Sequence, residues 1–188
     1  SLVSQITHHA AFSFNKAHAI SYAILSYRAA YLKSHFPAAF LAATANVALD
    51  NRDQLGQVFS DARRLGIHIL PPDIQISGPE CVPEPDGKRI RMGLRLIRHV
   101  PEGVVADILR SRPFSDMADL LMKVPALLTQ QALEMLGKAG ALDGFGPERV
   151  ALMALLPEWI DRVKRSSQQG GYQTDLFGES PIGVDLDS

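Results

Sequence analysis

The sequence predicts a mainly α-helical chain with one small β element. Apolar residues recur at three- and four-residue spacing over most of its length, and one Pro- and Gly-rich stretch switches to alternation. Of the 188 residues, 46% are hydrophobic, and mean hydropathy is +0.02, enough apolar material for a core. This composition excludes a disordered or collagen-like chain, and no run of about 18 apolar residues is present to span a membrane.

The first segment is predicted to be helical. Ala17, Ala19, Ala23, Ala29 and Ala30 are good helix formers, and Ile20, Ile24, Tyr27, Tyr31 and Leu32 fall on one face. Pro37 suits the first position of a second helix that continues from Ala38 to Leu49, since its missing N–H has no helical partner there. A third helix is expected over about Asn51 to Leu65, capped by Asp50 or Asn51 and stopped by Gly66.

The period then changes. Ile67-His68-Ile69-Leu70 is β-prone and closes on Pro71-Pro72, and Pro83-Glu84-Pro85-Asp86-Gly87 is a hairpin turn entering the alternating run Arg89 to Leu94. Short helices return over Glu102 to Arg110, Ser115 to Met122, Thr129 to Lys138 and Pro147 to Arg165, with Ser115 and Thr129 as caps and Gly140 and Gly144 as stops. Pairs of short helices on tight connections suggest a tandem of helical hairpins. Ser166-Ser167-Gln168-Gln169-Gly170-Gly171 reads as a flexible linker to an acidic tail. The resulting division is 1–70, 71–99, 100–165 and 166–188.

The formal net charge of −1 is unevenly spread. Residues 1–70 carry +3 and five of the six histidines, residues 71–112 carry +1, residues 113–165 carry −1, and the tail carries −4. Near-neutrality excludes a wholly basic nucleic-acid coat, but the front of the chain is mildly basic. One cysteine, Cys81, excludes a disulfide framework and fits a reducing, cytoplasmic compartment; in its Pro-rich turn it is expected to be inert. The start Ser1-Leu2-Val3 shows no signal-peptide pattern and reads as a fragment or a processed chain. The histidines lack zinc-ligand spacing with Cys or carboxylates.

The richest local signal is Phe12-Ser13-Phe14-Asn15-Lys16-Ala17-His18-Ala19. Asn15 as a cap, with Lys16 and His18 in the first helical turn, makes a candidate phosphate site from free N–H groups, the helix dipole and a cationic side chain. An ordinary capped helix with a solvated lysine would read the same way.

Phe14-Asn15-Lys16-Ala17-His18-Ala19, with Tyr22-Ala23, Ser26-Tyr27, Ala30-Tyr31-Leu32-Lys33, His35 and Pro37, resembles the fingers region of bacterial C-family DNA polymerases, the DNA polymerase III alpha subunits. The likeness continues in register through Asp61, Arg63-Arg64, Gly66-Ile67, Leu70-Pro71-Pro72-Asp73-Ile74, Met92-Gly93-Leu94 and Lys138-Ala139-Gly140-Ala141-Leu142-Asp143-Gly144. It implies that 1–70 is the C-terminal part of the fingers, 71–99 a β connector, 100–165 a tandem helix-hairpin-helix DNA-binding domain and 166–188 a linker with a clamp-binding tail. Asn15, Lys16 and His18 would then lie near the incoming deoxynucleoside triphosphate and template-primer DNA. Gly103, Arg110, Arg112 and Lys138 are the candidate DNA-backbone contacts.

Gln173-Thr174-Asp175-Leu176-Phe177 resembles the peptide by which such polymerases dock on the sliding clamp, with Gln173, Asp175, Leu176 and Phe177 as the contacts. Other replicase subunits would be met through the parent chain. The resemblance further implies a nucleotidyltransferase parent that uses Mg²⁺ on palm aspartates upstream of the fingers. Those aspartates are outside this sequence, so the fragment is expected to bind no cofactor and to be inactive alone; Asp50 and Asp53 read as helix-start residues. Two departures weaken phosphate binding: Pro101 stands where the family has a hairpin glycine, and Leu128-Thr129-Gln130-Gln131 is neutral where the family is basic. The alternative function is a non-catalytic clamp-binding adaptor derived from such a polymerase.

Overall fold

The structure is a computed structural model and describes residues 15–146 and 148–168. It is mostly helical with a three-stranded sheet, in the order α1 (Lys16–His35), α2 (Pro37–Val47), α3 (Arg52–Arg64), β1 (His68–Leu70), β2 (Val82–Pro83), β3 (Arg89–Arg91), α4 (Glu102–Ser111), α5 (Met117–Lys123), α6 (Gln130–Ala139) and α7 (Arg149–Gln168). Short 3₁₀ turns occupy Leu94–Leu96, Pro125–Leu128 and Asp143–Phe145.

The punctuation read from the sequence holds at the front. Asn15 and Asn51 each accept a hydrogen bond from the backbone N–H three residues on, at 3.1 Å, and start α1 and α3. Asn51, not Asp50, is the cap of α3. Pro37 opens α2, and Gly66 leaves α3 with φ +71°, a conformation in which glycine meets no Cβ penalty. Lys33 on α1 donates to Asp61 on α3 at 2.6 Å and holds that carboxyl below the usual carboxylate range.

The sheet has the order β1-β3-β2, with β1 parallel and β2 antiparallel to β3. Asp86 accepts the Lys88 N–H at 2.9 Å and Gly87 takes φ +65°, which closes the predicted hairpin. The alternating run does not remain a strand through Leu94. It ends at Arg91 because Gly93 lies against the backbone of Pro79 and Glu80, and the chain then turns into the 3₁₀ segment.

Two apolar cores form. The smaller joins α2, α3 and the sheet through Leu41, Ala42, Val58, Ala62, Ile67, Cys81 and Ile90. Asn46 fixes the Cys81 segment there, donating to its carbonyl at 3.0 Å and accepting its N–H at 2.7 Å, and burial pushes the Cys81 thiol up, away from the reactive thiolate. The larger core gathers α4 to α7, with Leu94 and Ile97, and Ile74 from the connector. In α7, Leu152, Leu156, Ile160 and Val163 form the inward stripe, while Pro157 faces solvent.

Two expected caps are corrected. Asp116, not Ser115, caps α5 by accepting the Asp119 N–H at 2.8 Å, and the Asp119 carboxylate in return accepts the Ser115 N–H at 3.0 Å. Thr129 precedes α6 but makes no cap bond; its hydroxyl donates to the Ala126 carbonyl at 2.9 Å. The stop at Gly140 holds, with φ +87°.

Helix α1 stands apart from both cores. None of its residues is buried, and Ile20, Tyr22, Ile24, Leu25, Tyr27, Tyr31 and Leu32 are all exposed. The single apolar face expected from spacing does not form: Tyr22, Leu25 and Leu32 lie well away from Ile20, Ile24, Tyr27 and Tyr31 around the axis, and nothing in the described structure covers them. Among the described residues no helix is long and apolar enough to cross a membrane.

Candidate nucleic-acid interface

The N-terminus of α1 is built as the sequence predicts, from an Asn15 cap and a first turn without acidic residues. The helix contains no Asp or Glu at all, so the positive end of its dipole is not offset along its length. Lys16 and His18 do not converge, however. Two residues apart on a helix, their side chains leave the axis about 200° apart. Lys16 shares its side with Ile20, Ile24, Tyr27 and Tyr31. His18 lies on the other side, its ring 4.5 Å from that of Tyr22 one turn on. One phosphate at this helix start is therefore approached by Lys16 or by His18, not gripped between them.

The residues assigned to the helical hairpins fare unevenly. Gly103 lies in the first turn of α4, exposed, and a Cβ there would meet nothing within 4 Å. Arg110 is exposed but pairs with Asp107. Lys138 pairs with Glu134 at 3.3 Å. Arg112 is turned inward: its Nε donates to the Ile74 carbonyl at 2.6 Å and its Nη2 to the Ser77 carbonyl at 2.7 Å, and burial pushes its pKa down from the ordinary value. Beside it, Gln75 both donates to and accepts from the backbone of Phe114. Arg112 thus ties the connector to the hairpin domain. Gln173, Asp175, Leu176 and Phe177 lie outside the described residues.

The hairpin between α6 and α7 is closed by its own groups. Ala141 N–H bonds the Leu136 carbonyl at 2.9 Å, Gly140 N–H bonds the Gly137 carbonyl at 3.0 Å, and Arg149 spans Asp143 with two bonds of 3.1 and 2.6 Å. Its cation is spent on a carboxylate, which leaves this loop poorly suited to an anion.

The turn that leads into α4 differs. Ile97 is buried and Val100 packs against the core, and between them Arg98 and His99 face solvent. His99 has φ +59°, the one non-glycine residue with positive φ among those described. Neither residue was singled out from the sequence. The signal for them was the basic pair Arg98-His99, separated only by Val100 from Pro101, the departure from the family's glycine.

Against known proteins, the profile of the helix-hairpin-helix motif matches residues 66–152, the span from the end of α3 into α7. A DNA polymerase III subunit alpha from Thermus aquaticus is 37% identical over 175 residues, covering 89% of this chain. Its counterpart from Neisseria meningitidis serogroup B is 39% identical over 170 residues, covering 86%. This chain is homologous to one segment of the DNA polymerase III alpha subunit. The Mycobacterium tuberculosis relative agrees, at 35% identity over 181 residues and 92% of the chain. The chain spans only 14–15% of the length of these alpha subunits. The helix-hairpin-helix unit is thus the part shared with a general motif, whereas α1 and α2 are matched by the alpha subunits and not by the motif profile.

Among the described residues no group of three or more His, Cys, Asp or Glu is placed to hold an ion. Asp53 sits in the first turn of α3, where its charge complements the dipole.

Proposed function

We propose that this chain is the fingers-to-hairpin portion of a replicative DNA polymerase, which positions incoming nucleotide and template-primer and tethers the enzyme to a sliding clamp. The observation that carries the reading is identity of 35–39% to alpha subunits along nearly the whole chain. The uncovered helix α1 supports it. A helix apolar on all sides is stable when packed inside a larger body, and the relatives are about seven times longer than this segment.

In this reading the chain contributes electrostatics and positioning rather than bond making. Lys16 at the dipole end of α1 meets a phosphate of the nucleotide or primer strand, the hairpin unit over 100–165 holds the duplex backbone, and the carboxylates that bind Mg²⁺ belong to the rest of the parent polymerase. Binding of the 188-residue chain to primed duplex DNA should be strongly salt-dependent. Lys16→Ala is expected to weaken it several-fold and to make the slope of log K against log salt shallower by about one. No binding at low salt rejects the DNA role.

The tail supplies the tether. Leu176 and Phe177 have the shape and adjacency to fill an apolar pocket, and replacing both by Ala should lower affinity for the clamp at least about tenfold after the ordering cost of the tail is counted. Unchanged affinity in a surface-capture measurement reassigns the tail.

One observation favours the second reading, a non-catalytic clamp-binding adaptor. Arg110, Arg112 and Lys138 are all engaged within the protein, which reduces the charge the hairpins offer to DNA. The two readings separate on the salt titration: the adaptor binds the clamp and barely binds the duplex.

A further inference from the structure

We propose that the acidic end of this chain, residues 169–188, docks back on α1 and seats Leu176 and Phe177 in a groove formed by Tyr27, Arg28, Tyr31 and Leu32. The inference needs neither DNA nor a clamp, and it says what the tail does when no other partner holds it.

The groove has a volume of about 390 Å³ and its lining, Tyr27, Arg28, Tyr31 and Leu32, is almost wholly apolar. That size falls within the roughly 300–1,000 Å³ of pockets that take apolar ligands. Helical spacing sets Tyr27 and Tyr31 along one edge and Arg28 and Leu32 along the other. The groove faces away from the folded body. Lys33 pairs with Asp61 on α3 and Ala29 is half-buried, and each stands two residues from Tyr31, on the opposite side of the helix. The groove therefore stays open once α1 has met α2 and α3, and the apolar residues elsewhere around α1 leave other sides of it for a larger body.

Charge selects the occupant. Helix α1 contains no Asp or Glu, and among the described residues no salt bridge engages Arg28. Residues 169–188 are the complement: they hold Asp175, Glu179, Asp185 and Asp187 and no Lys or Arg. Residues 113–165, next to the tail in sequence, carry −1 and do not attract it, whereas residues 1–70 carry +3. Leu176-Phe177 is the one adjacent pair of large apolar residues in the tail, and Asp175 stands directly before it. Seating the pair in the groove leaves that carboxylate beside the guanidinium of Arg28.

The tail is long enough to cross the body. Phe177 is nine residues beyond Gln168, the last residue of α7, an extended span of about 30 Å. A compact domain of roughly 150 residues has a radius of gyration of about 15 Å. A tether of this length presents the pair at roughly millimolar effective concentration, so a contact too weak to hold a free peptide still forms. Docked, the tail withdraws both apolar side chains, so α1 and a clamp compete for them.

The test uses the 188-residue chain, labelled with ¹⁵N and carrying a nitroxide on Gly178→Cys; Cys81 is buried and does not compete for the label. The amide signals of Tyr27 to Leu32 are expected to lose most of their intensity and to regain it when the nitroxide is reduced. Leu176→Ala with Phe177→Ala, or Arg28→Glu alone, should restore most of that intensity, and Arg28→Glu combined with Asp175→Arg should bring the loss back. Arg28 is exposed and belongs to neither core, so a failure to fold does not mimic the result. Equal intensities with and without the nitroxide, or a loss that persists in the double-alanine variant, overturn the proposal. A loss that appears equally in nitroxide-free ¹⁵N chains mixed with nitroxide-bearing unlabelled chains places the tail on a second copy, and overturns it too. No DNA or clamp is present, so failure here leaves the polymerase reading standing; that reading falls instead on the salt titration.

Discussion

Gly93→Ala should destabilise the chain by about 3–5 kcal/mol, a large share of the 5–15 kcal/mol typical of a folded domain. The glycine is required for space and not for its dihedral angles, which are the ordinary extended values φ −78° and ψ 156°. A Cβ on this backbone would lie 2.3 Å from the carbonyl carbon of Glu80 and 2.4 Å from the oxygen of Pro79. Both obstacles are main chain, so no side-chain rotation relieves them. The two segments are also locked together: Leu94 N–H bonds the Gly78 carbonyl and Arg95 N–H the Pro79 carbonyl, each at 3.0 Å. Separation would break those bonds and disturb Cys81, whose backbone is clamped by Asn46 in the smaller core. Denaturant unfolding should show a midpoint far below that of the unaltered chain.

Gly103→Ala is the matched control. Its Cβ has open space in the first turn of α4, and alanine is the better helix former, so stability should hold or rise slightly. If Gly93→Ala is equally harmless, the close approach of residues 79–80 to Gly93 is not present in solution.

The contrast between these two glycines shows what local sequence carries. Caps, helix starts and stops depend on residues within one turn, and Asn15, Pro37, Asn51, Gly66 and Gly140 were all legible for that reason. The hairpin at Asp86-Gly87 was legible because its turn chemistry is contained in the turn. Gly93 carried no such mark, since the backbone it touches, at Pro79 and Glu80, is far from it in sequence and its own dihedrals are ordinary. The same limit applied to Ser115 and Asp116. Both are competent caps, and only the placement of Asp119 decides that the aspartate takes the role.

In the candidate site the sequence locates the cations but not which of them the fold engages. Composition marks a lysine or arginine as charged, but whether that charge is offered to a ligand depends on what the fold sets beside it. Arg110 and Lys138 have acids three and four residues earlier, and their pairing with Asp107 and Glu134 could have been anticipated from helical spacing. The partners of Arg112 are 35 and 38 residues away and are backbone carbonyls, which leave no trace in side-chain pattern. Helix α1 poses the opposite difficulty. Its spacing suggested one apolar face, whereas apolar residues lie around the whole helix, and the surface to cover them is absent from the described residues.

Arg112→Met should therefore behave as a core mutation and not as the loss of a DNA contact. Methionine keeps much of the aliphatic stem and removes the guanidinium, stranding the carbonyls of Ile74 and Ser77 in a partly buried setting. Two hydrogen bonds from a charged donor are lost together, and the connector is left held to the helical hairpins by Ile74, Leu94 and Ile97 in the apolar core, by the Ile74 N–H bond to the Ala141 carbonyl and by the Gln75 bonds to Phe114. The expected loss is about 3–5 kcal/mol in unfolding free energy. Arg112→Lys should recover little of it, because an ammonium cannot reproduce the planar fork that reaches two carbonyls at once. In DNA titrations under conditions where the variant remains folded, the salt slope should match that of the unaltered chain, since no phosphate contact has been removed. The reverse pattern, full stability with a slope shallower by about one, would place the guanidinium outside the protein and on the DNA backbone. Stability and salt slope together thus separate a cation that holds two parts of the fold from one that holds the ligand, a distinction that charge alone does not make.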